Sequence, residues 1–382
     1  MAIDATLGIT DLVESTHHTI TRLGTSTSGR TQGITGLVYG SIRGITRLVG
    51  SSTDAILTPL VPLLGEQLSS PEREAVISAL NGVLGDHLAT NENPLAIRMN
   101  LRQDGQPLDL EAQTLYETTT QPSNKILLMV HGLCLNDGHW ERDGHNHGTL
   151  LTTELGYTPV YLHYNTGLHI STNGRAFADM IETLLHRWPV PVDELAIIGH
   201  SMGGLVSRSA CYYGAVARHT WLQYLRKMVF LGTPHHGSPL ERHGNGLNSL
   251  LGINPYTAAF TRLGKIRSSG ITDLRHGNLL DEDWAEQDRF AHTPDQRRLV
   301  PLPNGVQCYA IGATTGDVIG DLRDQLLGDG LVSLHSALGY HKDPERIIGF
   351  PETNQWIGHN MNHMDLLARM EVYEQIRQCF VS

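Results

Sequence analysis

Leu195-Ala196-Ile197-Ile198-Gly199-His200-Ser201-Met202-Gly203-Gly204 decides the fold. Its first four residues form the continuous apolar run of a strand buried on both faces, and the residues after Ser201 read as the opening of a helix. Between them lies a G-x-S-x-G turn. A chain that passes straight from strand to helix must turn sharply and lifts the serine hydroxyl above the sheet. Glycines two residues to either side remove side chains that would collide there. Ser201 is therefore the candidate nucleophile.

Outward from this turn the same rhythm repeats. Short apolar runs, each followed by a plausible helix, occur at Ile126 to Val130, Pro159 to Tyr164, Met228 to Leu231, Val306 to Gly312 and Arg346 to Phe350. Strands alternating with helices predict an α/β fold, a mostly parallel sheet with helices on both faces. Ahead of them Ile97, Met99 and Leu101 alternate up to Asp104-Gly105, the pattern of an antiparallel hairpin. The stretch from Ser238 to Pro303 breaks the rhythm without a strong strand. It is expected to be a cap insertion, with Leu247, Leu250, Leu251, Ile253, Tyr256 and Phe260 offering apolar surface to an acyl chain.

The chain has 382 residues, of which 40% are hydrophobic and 18% charged, enough for a large core with an appendage. Composition shifts near residue 93, dividing a helical, glycine-rich N-terminal extension (1–93) from an α/β domain (94–382). In the extension Ile34, Leu37, Val38, Ile42, Ile45, Leu48 and Val49 recur at helical spacing beside Arg43 and Arg47, and Gly36, Gly40 and Gly44 form a row. Internal packing explains such a face, and so does peripheral membrane contact or self-assembly through residues 33–65. Further on, Ser70 as N-cap and Pro71 as first helical residue open a helix with Val76, Leu80, Val83 and Leu84 as one buried stripe.

Lys and Arg number 28 against 39 Asp and Glu, a net charge of −11, which argues against a nucleic-acid partner. Cys134, Cys211, Cys308 and Cys379 are widely spaced and read as reduced thiols. The sequence opens without the basic start and apolar run of a signal peptide, and no stretch of about 18 apolar residues occurs. The expected address is cytoplasmic or membrane-peripheral.

A serine hydroxyl is a poor nucleophile at neutral pH, so a base and a group that orients it must come from elsewhere. With a nucleophile on this kind of turn the chain order is serine, acid, histidine. Asp329, between Gly328 and Gly330, is the candidate acid, with Asp317, Asp321 and Asp324 as rivals. His363, after the last run, is the candidate base, with His359 and His341 as rivals. Acyl transfer also needs donors for the oxyanion. The N–H of Met202, next to the nucleophile, is one. The N–H of Leu133, after the apolar Met129-Val130 and His131-Gly132, is the other, with Cys134 as fallback. His131, Trp140 and His200 are candidate substrate contacts, and His145 shares their loop. Asp137, His139, Asp143, His145 and His147 crowd one segment, yet their spacing fits no standard zinc site and no metal is assigned. His235 and His236 are expected to support their loop.

Val130-His131-Gly132, Gly199 to Gly204, Leu231-Gly232-Thr233-Pro234-His235-His236-Gly237-Ser238 and Asn362-His363-Met364-Asp365-Leu366-Leu367 together resemble the lipase and esterase branch of the α/β-hydrolase superfamily, especially its PGAP1-like group. The resemblance spans roughly residues 94 to 382. It implies an eight-strand sheet, a Ser201-Asp329-His363 triad, a cap over the acyl site and no cofactor. The expected function is hydrolysis of an acyl ester, whether of a small molecule, a lipid or a polyester, through an acyl-enzyme. An acyltransferase or thioesterase could use the same groups, and a non-catalytic membrane-associated binding protein is the reading from another class.

Overall fold

The computed structural model describes residues 70–111, 115, 119, 121–238, 268–286, 288, 295–316 and 328–381. The glycine row of the extension, the membrane-contact stretch 33–65, the apolar cap residues from Leu247 to Phe260, and the rival acids Asp317, Asp321 and Asp324 lie outside them.

Eight strands form one sheet in the order β2-β1-β4-β3-β5-β6-β7-β8. These are β1 (Asn100–Gln103), β2 (Gln106–Pro107), β3 (Lys125–Val130), β4 (Thr158–His163), β5 (Glu194–His200), β6 (Leu225–Leu231), β7 (Gln307–Thr314) and β8 (Gln355–His359). β1 pairs antiparallel with β2 and β4, and every pair from β4 to β8 is parallel. The hairpin expected around Asp104-Gly105 is β1–β2.

Parallel strands need crossovers that pack on the sheet, and the strand sequences supply two apolar faces for them. Leu128, Val130, Ile197, Met228, Phe230 and Ala310 face one core. There they meet Phe177 and Ile181 of α3 (Ile170–Arg187) and Leu205 and Ala210 of α4 (Met202–Ala217). Alternate residues Leu127, Met129, Ile198, Val229, Leu231 and Ile311 face the other core, against Leu151 of α2 (His147–Leu155) and Tyr373, Ile376 and Phe380 of α7 (Met370–Val381). Two shorter helices, α5 (Ser269–Asp273) and α6 (Leu334–Ala337), lie in the connections on either side of β7.

Two expectations change. The run Arg346 to Phe350 is not a strand. Pro344 opens a single 3-10 turn, and Ile348 and Phe350 are buried as anchors, with the Ile348 N–H donating to Gly339 O and the Phe350 ring set against Phe230. The eighth strand is Gln355–His359, mostly half-buried as an edge strand can be, so its sequence carries little of the apolar signal that marks its neighbours. The helix α1 (Pro71–Thr90) is capped as expected, Ser70 Oγ accepting from the Arg73 N–H at 3.2 Å. Its burial is not one stripe, because residues 75–85 are all buried. Although α1 falls within the stretch assigned to the extension, it docks on loops at the C-terminal ends of β3 and β4, with Asn165 Nδ2 donating to Gly85 O and Cys134 Sγ near Ala79 O.

Candidate active site

The candidate nucleophile sits where β5 passes into α4. Ser201 has φ 54 and ψ −125, a conformation costly for a residue with a Cβ, and its N–H donates to Leu231 O at 2.8 Å. The turn closes only because the helix start comes down onto β3: a Cβ on Gly203 would lie 2.2 Å from Val130 O. The amide of Met202 is the first of α4 and, like that of Leu133, has no protein acceptor among the described residues. The Cys134 N–H is different. It donates to Thr166 Oγ1 at 3.1 Å and is committed there.

After β7 the chain returns at Gly328, whose φ of +51 and lack of a Cβ permit a turn in which a side chain would strike Val332 O at 2.0 Å. That turn aims Asp329 inward. Asp329 Oδ1 accepts from the N–H groups of Leu331 and Val332, at 3.0 and 2.8 Å, and Oδ2 faces His363 Nδ1 at 2.6 Å. The His363 N–H donates to Asp329 O, so backbone and side chain both join the two residues. The ring of His363 lies over Gly232, where a Cβ would meet Cε1 at 3.0 Å. Gly232 follows Leu231, the residue whose carbonyl holds the Ser201 N–H, so His363 and Ser201 border the same turn. His363 Nε2 is buried and has no hydrogen-bond partner among the described residues. The rivals lie elsewhere: His359 is on β8, and His341 packs against His236 with ring centroids 4.9 Å apart.

His131, Trp140 and His200 are placed differently from the expectation of substrate contact. Each is 1% exposed, and each is engaged inside the protein. His131 stacks on Tyr164, His200 Nε2 faces His363 O at 3.2 Å, and Trp140 meets the His200 ring edge-on. Burial drives His131 down to about 3 and His200 well below the usual imidazole range, so both are neutral supports at ordinary pH.

The histidine-rich segment is spread among separate bonds. His139 Nδ1 pairs with Asn136 Oδ1, and His145 Nε2 with His147 Nδ1, while His147 Nε2 faces Leu366 O. Among the described residues no group of three or more His, Cys, Asp or Glu is arranged to hold a metal ion. His235 and His236 support their loop, the first against Arg208 Nη1 and the second against Gly339 O and Arg297. None of the cysteines forms a disulfide among the described residues. No described helix is long and apolar enough to cross a membrane.

Two features escaped the sequence. Thr166, the acceptor for Cys134, carries no motif. A second acid–histidine pair joins His169 Nδ1 to Asp273 Oδ2 at 3.0 Å across 104 positions, with no local pattern to betray it.

A mostly parallel eight-stranded sheet that opens with an antiparallel pair and carries a serine turn between β5 and the helix after it is the α/β-hydrolase fold. The family model of the PGAP1-like alpha/beta domain matches residues 164–309, from the end of β4 to the first residues of β7. No curated protein matches the chain. Among solved structures it is similar to the mature lipase BlEst2 of Bacillus licheniformis, with 14% identity and a TM-score of 0.45 over 75% of this chain and 98% of that one. It is also similar to lipase B of Aspergillus fumigatus, with 11% identity and a TM-score of 0.39 over 95% of this chain and 83% of that one.

Proposed function

We propose that the chain is a serine carboxylic-ester hydrolase whose 94–382 region carries a Ser201-Asp329-His363 triad. The observation that carries this reading is the pairing of a strained Ser201 turn with a His363 that is held at Nδ1 by Asp329 and whose Nε2, beside that turn, has no partner among the described residues. Ser201 Oγ attacks the ester carbonyl while His363 Nε2 takes its proton. Asp329 fixes the tautomer with the proton on Nδ1 and stabilises the imidazolium that forms. The N–H groups of Met202 and Leu133 hold the developing oxyanion. Collapse breaks the ester C–O bond, with the leaving alcohol protonated by His363. Water, activated by the same histidine, then releases the acid from the acyl-enzyme.

The substrate class is an acyl ester, including lipid esters if the 238–303 stretch caps an acyl channel. The test compares the wild type with Ser201→Ala on nitrophenyl esters of rising acyl length, alongside covalent labelling by a fluorophosphonate. We expect turnover and labelling in the wild type, and a loss of at least about 10⁴-fold in the variant. Equal hydrolysis by both would overturn the assignment.

A further inference from the structure

The connection after β3 must present the Leu133 N–H in one orientation, yet it contains a residue that resists its own backbone. Cys134 has φ +62, a left-handed conformation for a side chain with a Cβ, and such a residue persists only when its neighbours over-determine it. Its neighbours come from two directions. From the β4 connection, Thr166, 1% exposed, accepts the Cys134 N–H at 3.1 Å. From the N-terminal side, α1 presses directly on the same residue. A Cβ on Gly82 would sit 2.2 Å from Cys134 Sγ and 3.0 Å from its Cα, and the thiol points at Ala79 O.

The α1 contact is built along its length. Asn165 Nδ2 donates to Gly85 O at 2.9 Å, and Gly167 passes so close that a Cβ would meet Asn81 O at 2.2 Å. Ser268 Oγ donates to Gly82 O, and both the N–H and Oγ of Ser269 bond Asp86 Oδ2. At the start of the helix Glu74 lies 3.4 Å from Arg102 Nη1, which in turn holds Asp137, three residues beyond Cys134, at 3.1 Å. Burial also raises the Cys134 thiol to about 12, so it packs as a neutral group and carries no charge toward the loop.

From this geometry we infer that Thr166 is a positioning residue for the oxyanion donor: its hydroxyl, carried on the loop whose Asn165 and Gly167 lie against α1, fixes the Cys134 amide so that the Leu133 amide faces the Ser201 turn. The inference deepens the ester-hydrolase reading and rests on it. It also gives α1 a task, as the strut that keeps the Leu133-Cys134 peptide in its left-handed bend.

The experiment uses the full chain with Thr166→Val, which keeps the volume and removes the hydroxyl, Thr166→Ser, which keeps the hydroxyl, and Gly82→Ala, which loads the same loop from the helix. Each is measured on a nitrophenyl ester for kcat and KM. Each is also titrated with an alkyl trifluoromethyl ketone, which forms a tetrahedral oxyanion on the serine, and with the matching methyl ketone, which resembles the ground state. Loss of one donor from such a site costs about 10²- to 10³-fold in kcat, so a displaced donor is expected to cost about 10- to 100-fold. Thr166→Val should lose that factor in kcat with KM nearly unchanged. It should lose a similar factor in affinity for the trifluoromethyl ketone and nothing for the methyl ketone, and Thr166→Ser should recover most of the loss. Gly82→Ala should move in the same direction, and it decides the matter if Thr166→Val fails to melt cooperatively. Wild-type kcat in folded Thr166→Val, an equal loss of both ketones, or a Thr166→Ser as poor as the valine variant would overturn the inference while the ester reading stands. A wild type that neither hydrolyses esters nor binds the trifluoromethyl ketone would overturn both.

Discussion

Among the described residues the acid–histidine pairs Asp329–His363 and Asp273–His169 look alike as pairs and differ in what lies beside the histidine ring. Asp329 and Asp273 are each 1% exposed, and each holds a histidine through Nδ1, at 2.6 and 3.0 Å. Each acid also accepts backbone N–H groups, from Leu331 and Val332 in one case and from Ile170 in the other. At His363 the far nitrogen has no partner among the described residues and the ring lies beside a serine on a strained turn. At His169 the ring lies flat on Trp284, with centroids 3.6 Å apart, and the nearby Ser171 Oγ is occupied as the acceptor of the Trp284 Nε1–H. The first pair leaves proton-transfer capacity unspent, whereas the second uses its ring to tie α3 to the segment around α5. A carboxylate–imidazole bond alone therefore says little about catalysis; what lies beside the ring decides.

The strongest way to break this contrast is Asp329→Asn. If Asp329 orients the base, the amide favours the wrong tautomer, and activity should fall by about 10⁴-fold with little change in melting temperature. An unchanged kcat/KM would make the first pair as structural as the second. His169→Ala is the reciprocal test. Activity should stay within about twofold while stability drops by about 1–3 kcal/mol, the cost of leaving a buried acceptor under-satisfied, read by urea unfolding. A loss of activity larger than the loss of stability would blur the distinction.

The smallest effect sharpens the background against which both pairs act. Burial lowers His131, His147 and His236 to about 3, and His200 and His235 well below the usual value. In the unfolded chain these rings titrate near about 6.5, so between that pH and about 3 the unfolded state binds more protons than the native one. The stability they contribute is fully present above pH 6.5 and is lost as pH falls through this window, by up to about 1.4 kcal/mol per unit for each ring. Urea midpoints measured from pH 7 to pH 5 should fall, and His236→Gln should flatten that slope; a slope unaltered by the substitution would remove His236 from the explanation.

How much could be read beforehand follows from the same physics. Strands buried on both faces had to be continuous apolar runs, so β3, β5 and β6 were plain, and the Ser201 turn announced itself through the glycines that its close packing demands. Asp329 was legible because a carboxylate aimed inward from a tight turn needs glycine at 328. β8 was missed because an edge strand need not be apolar, and Arg346 to Phe350 misled because two buried anchors in an irregular segment mimic one face of a strand. His131, Trp140 and His200 drew attention as aromatic and polar residues near the nucleophile, but sequence cannot tell the layer that meets a ligand from the layer behind it. Thr166 and the His169–Asp273 pair were invisible because their partners lie 32 and 104 positions away.

The φ of +54 at Ser201 has a further consequence. The backbone there sits where only glycine is comfortable, so the residue proposed for the chemistry is also a local defect in the fold, and stability and function pull against each other at one position. Ser201→Gly should be inert toward esters and yet melt higher than the wild type. Relief of strain outweighs the greater freedom of glycine in the unfolded chain, for a net gain of about 1 kcal/mol. A calorimetric scan of the two proteins measures it directly, and a lower melting temperature for the glycine variant would mean that the turn is held without strain. Sequences drifting under selection for stability alone would lose this serine early, so its presence on such a turn is itself a mark of selection for something other than folding.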